Sequence, residues 1–287
     1  GGRVISTSVE FPSVIYPWLR ASKEKGWRLE LVEPKNGMIL DESELLSRIT
    51  RGVRAVCLSH VEFLTGQRFD LKALAERAHE VDALLIVDGI QAAGCIPVDV
   101  KDLDVDIYVV GSYKWLLGPM GAALAYIRRE LVDELEPGIV GWRSVEGMWS
   151  LDTSGLRYAG AAKRFEYGTS SYDAKVGLAK SIEYLLELGI SQIHDHDMRL
   201  SGRLLEGLAD LPRVRVMTPV ESRGPIVTVD VEGVDPEELM RKISRGRRRT
   251  IASVRRGLLR FSIHLYNDSE EVDDIVEGLS KTMRRTL

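Results

Sequence analysis

The amino-acid sequence predicts an α/β protein built on a mostly parallel central sheet flanked by helices, with a smaller α+β unit behind it. Three observations lead there. Short β-branched runs recur with amphipathic stretches of helical period between them, the pattern of strands and crossover helices. Polar residues able to do chemistry stand at the ends of those runs, where a parallel sheet gathers its ligands. The 287 residues, 44% hydrophobic and 29% charged, are also enough to hide roughly 75% of the extended-chain surface in a large core.

Strands are expected at residues 3–6, 28–32, 55–59, 84–87, 107–110 and 122–127. Between them, Asp41 caps a helix reaching Thr50. Asp70 caps another through Val81, with Leu71, Leu74, Ala75 and Ala78 on one face. A long helix follows over 171–188, stopped by Gly189, and a second over 190–211 carries the chain into the smaller unit. There, strands at 214–217, 226–231 and 258–263 alternate with helices at 236–243 and 270–284. The expected division is a large unit over 1–190 and a small one over 191–287.

Composition excludes several classes. With 39 Lys+Arg and 43 Asp+Glu the formal net charge is −4, so no strong field draws the chain to nucleic acid. The basic run from Arg241 to Arg249, with Arg255 and Arg256 beyond it, has no interleaved aromatics and no nucleic-acid fold signature, and part of that loop is expected to face the functional site. No apolar run approaches the ~20 residues of a membrane span. The first residues lack a signal peptide and read as the middle of a domain. Cys57 and Cys95 sit in apolar, strand-like surroundings, which argues for buried thiols in a reducing, cytoplasmic setting rather than a disulfide or zinc motif. His194 and His196, two positions apart on a helix, point to different faces; that stretch is expected to be a solvated helix face rather than a metal site.

The chemistry converges at three strand ends. The third strand delivers His60, the fourth Asp88 and Gln91, and the fifth Ser112, Tyr113 and Lys114. A carboxylate and a lysine opening into one crevice suit a cationic ring nitrogen and a Schiff base.

Four segments extend this reading: Val-Asp-Gly-Ile-Gln-Ala-Ala-Gly at 87–94, Gly-Ser-Tyr-Lys-Trp-Leu-Leu-Gly-Pro-Met-Gly at 111–121, Arg-Phe-Glu-Tyr-Gly-Thr at 164–169 and Arg-Phe-Ser-Ile-His-Leu-Tyr-Asn at 260–267. In this order and spacing they resemble the class V group of fold-type I pyridoxal-phosphate enzymes, which includes aminotransferases, kynureninase and cysteine desulfurases. The resemblance covers nearly the whole chain and implies the fold-type I PLP-transferase architecture with pyridoxal 5′-phosphate as cofactor. Lys114 would carry the cofactor covalently, because a desolvated lysine beside cations loses its proton and becomes nucleophilic. Asp88 would pair with the ring nitrogen and keep the ring an electron sink. Gln91 would bond the ring oxygen, Ser112 and Tyr113 the phosphate, and Phe11 would stack on the ring, with His60 close by. Gly168 and Thr169 resemble a loop reaching the phosphate of a neighbouring subunit, which implies a homodimer with shared sites. Arg260 would grip the α-carboxylate of a small amino-acid substrate, since its fork fits a carboxylate bidentately. Arg255 matches an arginine near the substrate in members other than desulfurases.

Members of the resembled group carry a further N-terminal segment with a Thr-rich phosphate cradle before the position where this sequence begins, and nothing in these residues replaces it. Among activities, a desulfurase of the usual kind needs a loop cysteine, and residues 250–255 contain none. Phe63 also replaces the asparagine usual in desulfurases. Transamination is therefore the expected reaction. Carbon–sulfur or carbon–carbon lyase activity is the alternative, and a catalytically silent dimeric relative is the third reading.

Overall fold

The computed structural model describes residues 1–35, 37–245 and 249–284. Its larger sheet has six strands, β1 (Arg3–Thr7), β2 (Arg28–Val32), β3 (Val53–Ser59), β4 (Leu84–Asp88), β5 (Ile107–Gly111) and β6 (Ala123–Ile127). They are ordered β2-β1-β3-β4-β5-β6, and all neighbours are parallel except the antiparallel pair β5–β6. This is the α/β sheet expected from the sequence, and each strand lies within two residues of its expected bounds.

The connecting helices form where capping and periodicity place them. In α2 (Glu42–Arg48) the Asp41 carboxylate accepts from the Ser43 N–H at 2.9 Å, and in α3 (Leu71–His79) Asp70 accepts from Lys72 and Ala73 at 3.1 Å. These bonds satisfy donors that a helix start otherwise leaves unmade. The buried face of α3 is Leu71, Leu74, Ala75 and Ala78, and it packs with Val56, Leu58, Leu85 and Val87 of the sheet in the main core.

Two helices are unforeseen from the sequence, a single turn at Arg129–Val132 and a long one near the start of the chain. α1 (Pro12–Lys25) begins with proline at its first turn and contains a second, Pro17, in its interior. The first fits because that N–H has no partner in any helix; the second hides the helical period from a reader of sequence. α1 fixes the exit of the chain from β1, so Phe11, its extended N-cap residue, is aimed by the helix start.

After a short helix α4 (Arg129–Val132), a long loop leads to α5 (Tyr172–Leu188) and α6 (Ile190–Ala209), broken at Gly189, whose φ is +83°. A second sheet of β7 (Val214–Val216), β8 (Ile226–Val231), β9 (Ser253–Arg255) and β10 (Leu258–Ser262) is antiparallel throughout, in the order β7-β8-β10-β9. Against it pack α6, α7 (Pro236–Ile243) and α8 (Ser269–Arg284), with Leu204, Leu208, Leu239 and Leu279 in a separate core.

The helix carrying His194 to Asp197 corrects one expectation. Ile193, Asp197, Leu200, Ser201 and Leu204 form its buried stripe at helical spacing, so Asp197 is enclosed rather than solvated. Among the described residues neither of its carboxylate oxygens has a hydrogen-bond partner, and burial pushes its pKa up to about 7. His194 and His196 do diverge: Nδ1 of the first lies 3.2 Å from the Cys95 carbonyl, and Nε2 of the second 3.0 Å from the Asn267 carbonyl. Among the described residues no cluster could hold a metal, and no helix is long and apolar enough to cross a membrane. Arg247 and Arg248 of the basic run lie outside the described residues.

Leu74→Ala empties a fully buried position between α3 and the sheet. It is expected to lower the unfolding free energy by about 2–5 kcal/mol, read as a reduced urea midpoint with an unchanged slope.

Candidate active site

Two neighbouring strands bring the chemistry together. β4 ends in Asp88, which is paired with Val109 of β5, and β5 runs into the turn that holds Lys114. That turn closes on itself: the Gly118 N–H donates to the Ser112 carbonyl at 2.8 Å and the Leu117 N–H to the Lys114 carbonyl at 2.9 Å. Gly94 secures it from the other side. Its φ is +106°, and a Cβ there would fall 2.3 Å from the Trp115 carbonyl oxygen, so only glycine lets the segment after Asp88 pack on the backbone after Lys114.

Lys114 lines a cavity of about 400 Å³ together with Gln91, Tyr113, Arg260 and His264. Burial lowers its pKa from 10.5 to about 8, helped by the charges of Arg260 and Arg255 and opposed by Asp88. Burial raises the Asp88 carboxyl, while the Ile90 N–H, donating at 2.9 Å, and the Lys114 charge pull it back. Asp88 and Lys114 therefore feel each other's charge.

Phe11 stands at the approach to the amine. Lys114 Nζ is 6.0 Å from its ring centroid, and the ring meets Phe63 edge-on at 5.3 Å. Gln91 is buried; its Oε1 accepts from Trp115 Nε1 at 3.0 Å, so its amide N–H groups are the part that could serve a ligand.

Arg260 is positioned by protein atoms on two sides. Its Nη1 donates to the Phe63 carbonyl at 2.7 Å, and its Nε and Nη2 donate to Ser262 Oγ at 3.3 and 2.9 Å. A guanidinium has five N–H bonds, so one remains on each terminal nitrogen, the pair a carboxylate needs. The Phe63 carbonyl is itself held by Glu62, a residue the sequence reading missed. One oxygen of this fully buried carboxylate accepts from the Leu64 and Thr65 N–H groups at 2.9 and 2.6 Å and from the Thr65 hydroxyl at 3.0 Å. The signal was an acidic residue just before a Thr-Gly turn.

Glu10 was missed as well. It is buried beneath the site, where the Ser59 N–H and hydroxyl each donate to it at 2.6 Å. Burial, aided by the charges of Glu62 and Asp88, pushes its pKa up to about 7 against those hydrogen bonds.

Of the other expected residues, only Tyr113 lines the cavity. His60 is enclosed, with Nδ1 2.9 Å from the Tyr108 hydroxyl, and burial lowers its pKa to about 3. The reason is that its N–H donates to the Asp88 carbonyl at 2.9 Å, extending the β3–β4 ladder by one residue and turning the ring inward. Ser112 is also fully buried, and its hydroxyl donates to the Pro119 carbonyl. Tyr113 is half exposed on the cavity wall. Arg255 is exposed at the start of the 256–257 turn and donates to the Val254 carbonyl at 2.9 Å; it reaches Lys114 through its charge rather than by lining the cavity. Gly168 and Thr169 lie on the long loop and do not line the cavity either. Neither cysteine is a candidate nucleophile: burial pushes Cys57 up to about 12 and Cys95 well above its ordinary value.

A family model described as aminotransferase class-V matches residues 1–275. The chain belongs to the class-V aminotransferase family. It is 28% identical to a probable cysteine desulfurase of Pyrococcus abyssi over 99% of this chain and 74% of that protein. The apo structure of a cysteine desulfurase from Thermococcus onnurineus NA1 superposes with a TM-score of 0.90 at 26% identity, covering 99% of this chain and 73% of the other. The cystine C–S lyase C-DES, solved with its product cysteine persulfide, superposes at 0.87 and 25% identity over 98% and 75%. The architecture is thus that of fold-type I enzymes, and the family's cofactor is pyridoxal 5′-phosphate.

The residues present fit that cofactor. Asp88 spends one oxygen on the Ile90 N–H, and its other oxygen accepts no hydrogen bond from the described residues. Lys114 is half neutral near pH 8 rather than above 10, and Gln91 keeps its N–H donors.

Because only the neutral amine attacks an aldehyde, borohydride trapping of the cofactor on Lys114 is expected to rise with pH through about 8. Arg260→Gln removes a repelling charge and should move that midpoint upward, while Lys114→Ala abolishes trapping; mass spectrometry across a pH series checks both.

Proposed function

We propose that this protein uses pyridoxal phosphate to cleave the carbon–sulfur bond of an amino acid bearing sulfur on Cβ, and that it releases the sulfur directly rather than passing it through a cysteine. The absence of a usable thiol carries this reading: the stretch 250–255 has no cysteine, and Cys57 and Cys95 are buried and held protonated. The names of the relatives support the bond that is broken. The cystine C–S lyase supports the idea that persulfide leaves as a free product.

When bound, the cofactor supplies a sink for the electron pair left when the substrate Cα loses its proton. Asp88 would hold the ring nitrogen in its charged form, and Gln91 would bond the ring oxygen. Phe11 would cover a ring face, and Tyr113 and Ser112 would serve the phosphate, Ser112 first giving up its bond to the Pro119 carbonyl. The two free N–H bonds of Arg260 hold the α-carboxylate, and Arg255 adds positive charge at the entrance. Lys114 would take the Cα proton, and a proton would leave with the sulfur as the Cβ–S bond breaks. With water, the products are pyruvate, ammonia and a thiol or persulfide.

Transamination, the reaction first expected, stays as a second reading because it too needs Lys114 and no cysteine. The two separate by product. Sulfide or persulfide with pyruvate from L-cysteine or L-cystine is expected; a keto acid with the cofactor left in its amine form, and no sulfur released, would establish transamination instead. A protein that stays colourless after addition of the cofactor would be the silent relative.

We read residues 1–190 as the cofactor-binding unit and 191–287 as the small unit. We also read the molecule as a homodimer in which the Gly168–Thr169 loop serves the other copy's site. That loop is away from its own cavity, and its neighbours Ile139, Trp142, Trp149, Leu151 and Leu156 are exposed apolar residues. Sedimentation is expected to give twice the 32.1 kDa chain mass, and Trp149→Asp with Leu151→Asp should halve it.

A further inference from the structure

Three rings on the wall of the Lys114 cavity have no part in the chemistry above. Trp115 and His264 stack with centroids 4.9 Å apart at 16°, and His264 and Tyr266 with centroids 4.7 Å apart at 11°. The stack runs from core to solvent, since Trp115 and His264 are buried while Tyr266 is 69% exposed.

Each ring is pinned. Trp115 donates its Nε1–H to Gln91. His264 Nδ1 accepts from the Leu265 N–H at 2.8 Å, and burial lowers its pKa to about 4, so the ring is neutral with its proton on Nε2. The turn carrying Tyr266 is tied down by Asn267, which accepts from the His264 N–H and donates to Glu271, both at 2.9 Å. Tyr266 is therefore a supported platform with one face covered by His264. A rigid aromatic face bordering a cavity stacks planar groups in an offset arrangement.

Its position says which group. Tyr266, Arg260 and Ser262 border both the Lys114 cavity and a second cavity of about 490 Å³, whose wall includes Ile251, Ala252, Ile263 and Ile275. An amino acid with its carboxylate on Arg260 and its amino group at Lys114 would have its side chain and the Cα hydrogen left to place, and Tyr266 borders both the first cavity and the second.

We infer that the substrate side chain carries a planar conjugated group that stacks on Tyr266 and enters the second cavity. This rests on the lyase reading, under which the substrate is a cysteine bearing an aryl or heteroaryl group on sulfur. The Cβ–S bond breaks with its electron pair on sulfur, the aryl thiol takes the proton lost from Cα, and water completes pyruvate and ammonia.

Calorimetric titration of the cofactor-loaded protein with S-phenyl-L-cysteine and S-methyl-L-cysteine tests it, with L-phenylalanine and L-leucine as a pair that has no sulfur. The planar member of each pair is expected to bind about tenfold more tightly, stacking and apolar contact acting together. Tyr266→Phe should keep that preference, and Tyr266→Ala should lose it with an unchanged melting temperature. Equal binding within both pairs in the wild-type protein, or a preference that survives Tyr266→Ala, overturns the inference. Release of thiol and pyruvate from S-methyl-L-cysteine without any planar preference would leave the lyase reading standing and this one fallen. A planar preference with no thiol released from either cysteine would sink the lyase reading and keep the platform.

Discussion

A lysine held half out of water between one carboxylate and two guanidinium groups is the constraint on which the molecule turns. Bringing an ammonium into such a place costs solvation, and the arginines add repulsion, so the proton is loosely held. Asp88 works the other way and keeps the shift moderate. The parallel β4–β5 pair makes this arrangement possible, because strand ends pointing the same way place residues distant in sequence in one crevice. Gly94 then sets how closely the two following segments approach.

The loop after β3 joins this crevice to the second sheet. Its Phe63 carbonyl receives Arg260, its Leu64 carbonyl accepts from Thr228 Oγ1 at 2.5 Å, and Gln67 bonds the Leu40 backbone in both directions at 2.8 Å. Gly66, with φ +76°, allows Ile226 to come so near that a Cβ would lie 2.6 Å from its carbonyl oxygen. The substrate-facing guanidinium thus belongs by sequence to the antiparallel sheet but takes its position from the parallel one. Glu62 folds this loop from within by accepting three hydrogen bonds on one oxygen.

Most of the fold was legible in the sequence because strand runs, aspartate caps and glycine stops are local signals. α1 was hidden by its two prolines, α4 by spanning a single turn, and β9 by its make-up, one valine between a serine and an arginine. At the site, Asp88, Gln91, Lys114 and Arg260 were legible because their neighbours form motifs. Glu10 and Glu62 were not, because a buried carboxylate is recognised by the donors folded around it, and those come from elsewhere in the chain or from the next turn. His60 misled for a related reason: which way a strand-end side chain turns depends on whether the ladder gains one more bond, and no neighbouring residue records that. Asp197 misled because a polar letter in a polar stretch conceals its place on a buried stripe.

Glu10 and Asp197 have a joint consequence for how folding responds to acidity. Each sits near pKa 7 in the native state, while an unfolded carboxyl ionises near 4. Between those values the two carboxyls hold protons that the unfolded chain has released, whereas His60 and His264, lowered to about 3 and about 4, lack protons that the unfolded chain binds below about 6.5 and so work against them. Above neutrality both carboxyls are charged in both states and their contribution levels off. The scaffold thus folds with proton uptake at two buried carboxyls and proton release at two buried imidazoles, while the amine at its centre gains reactivity in mild base.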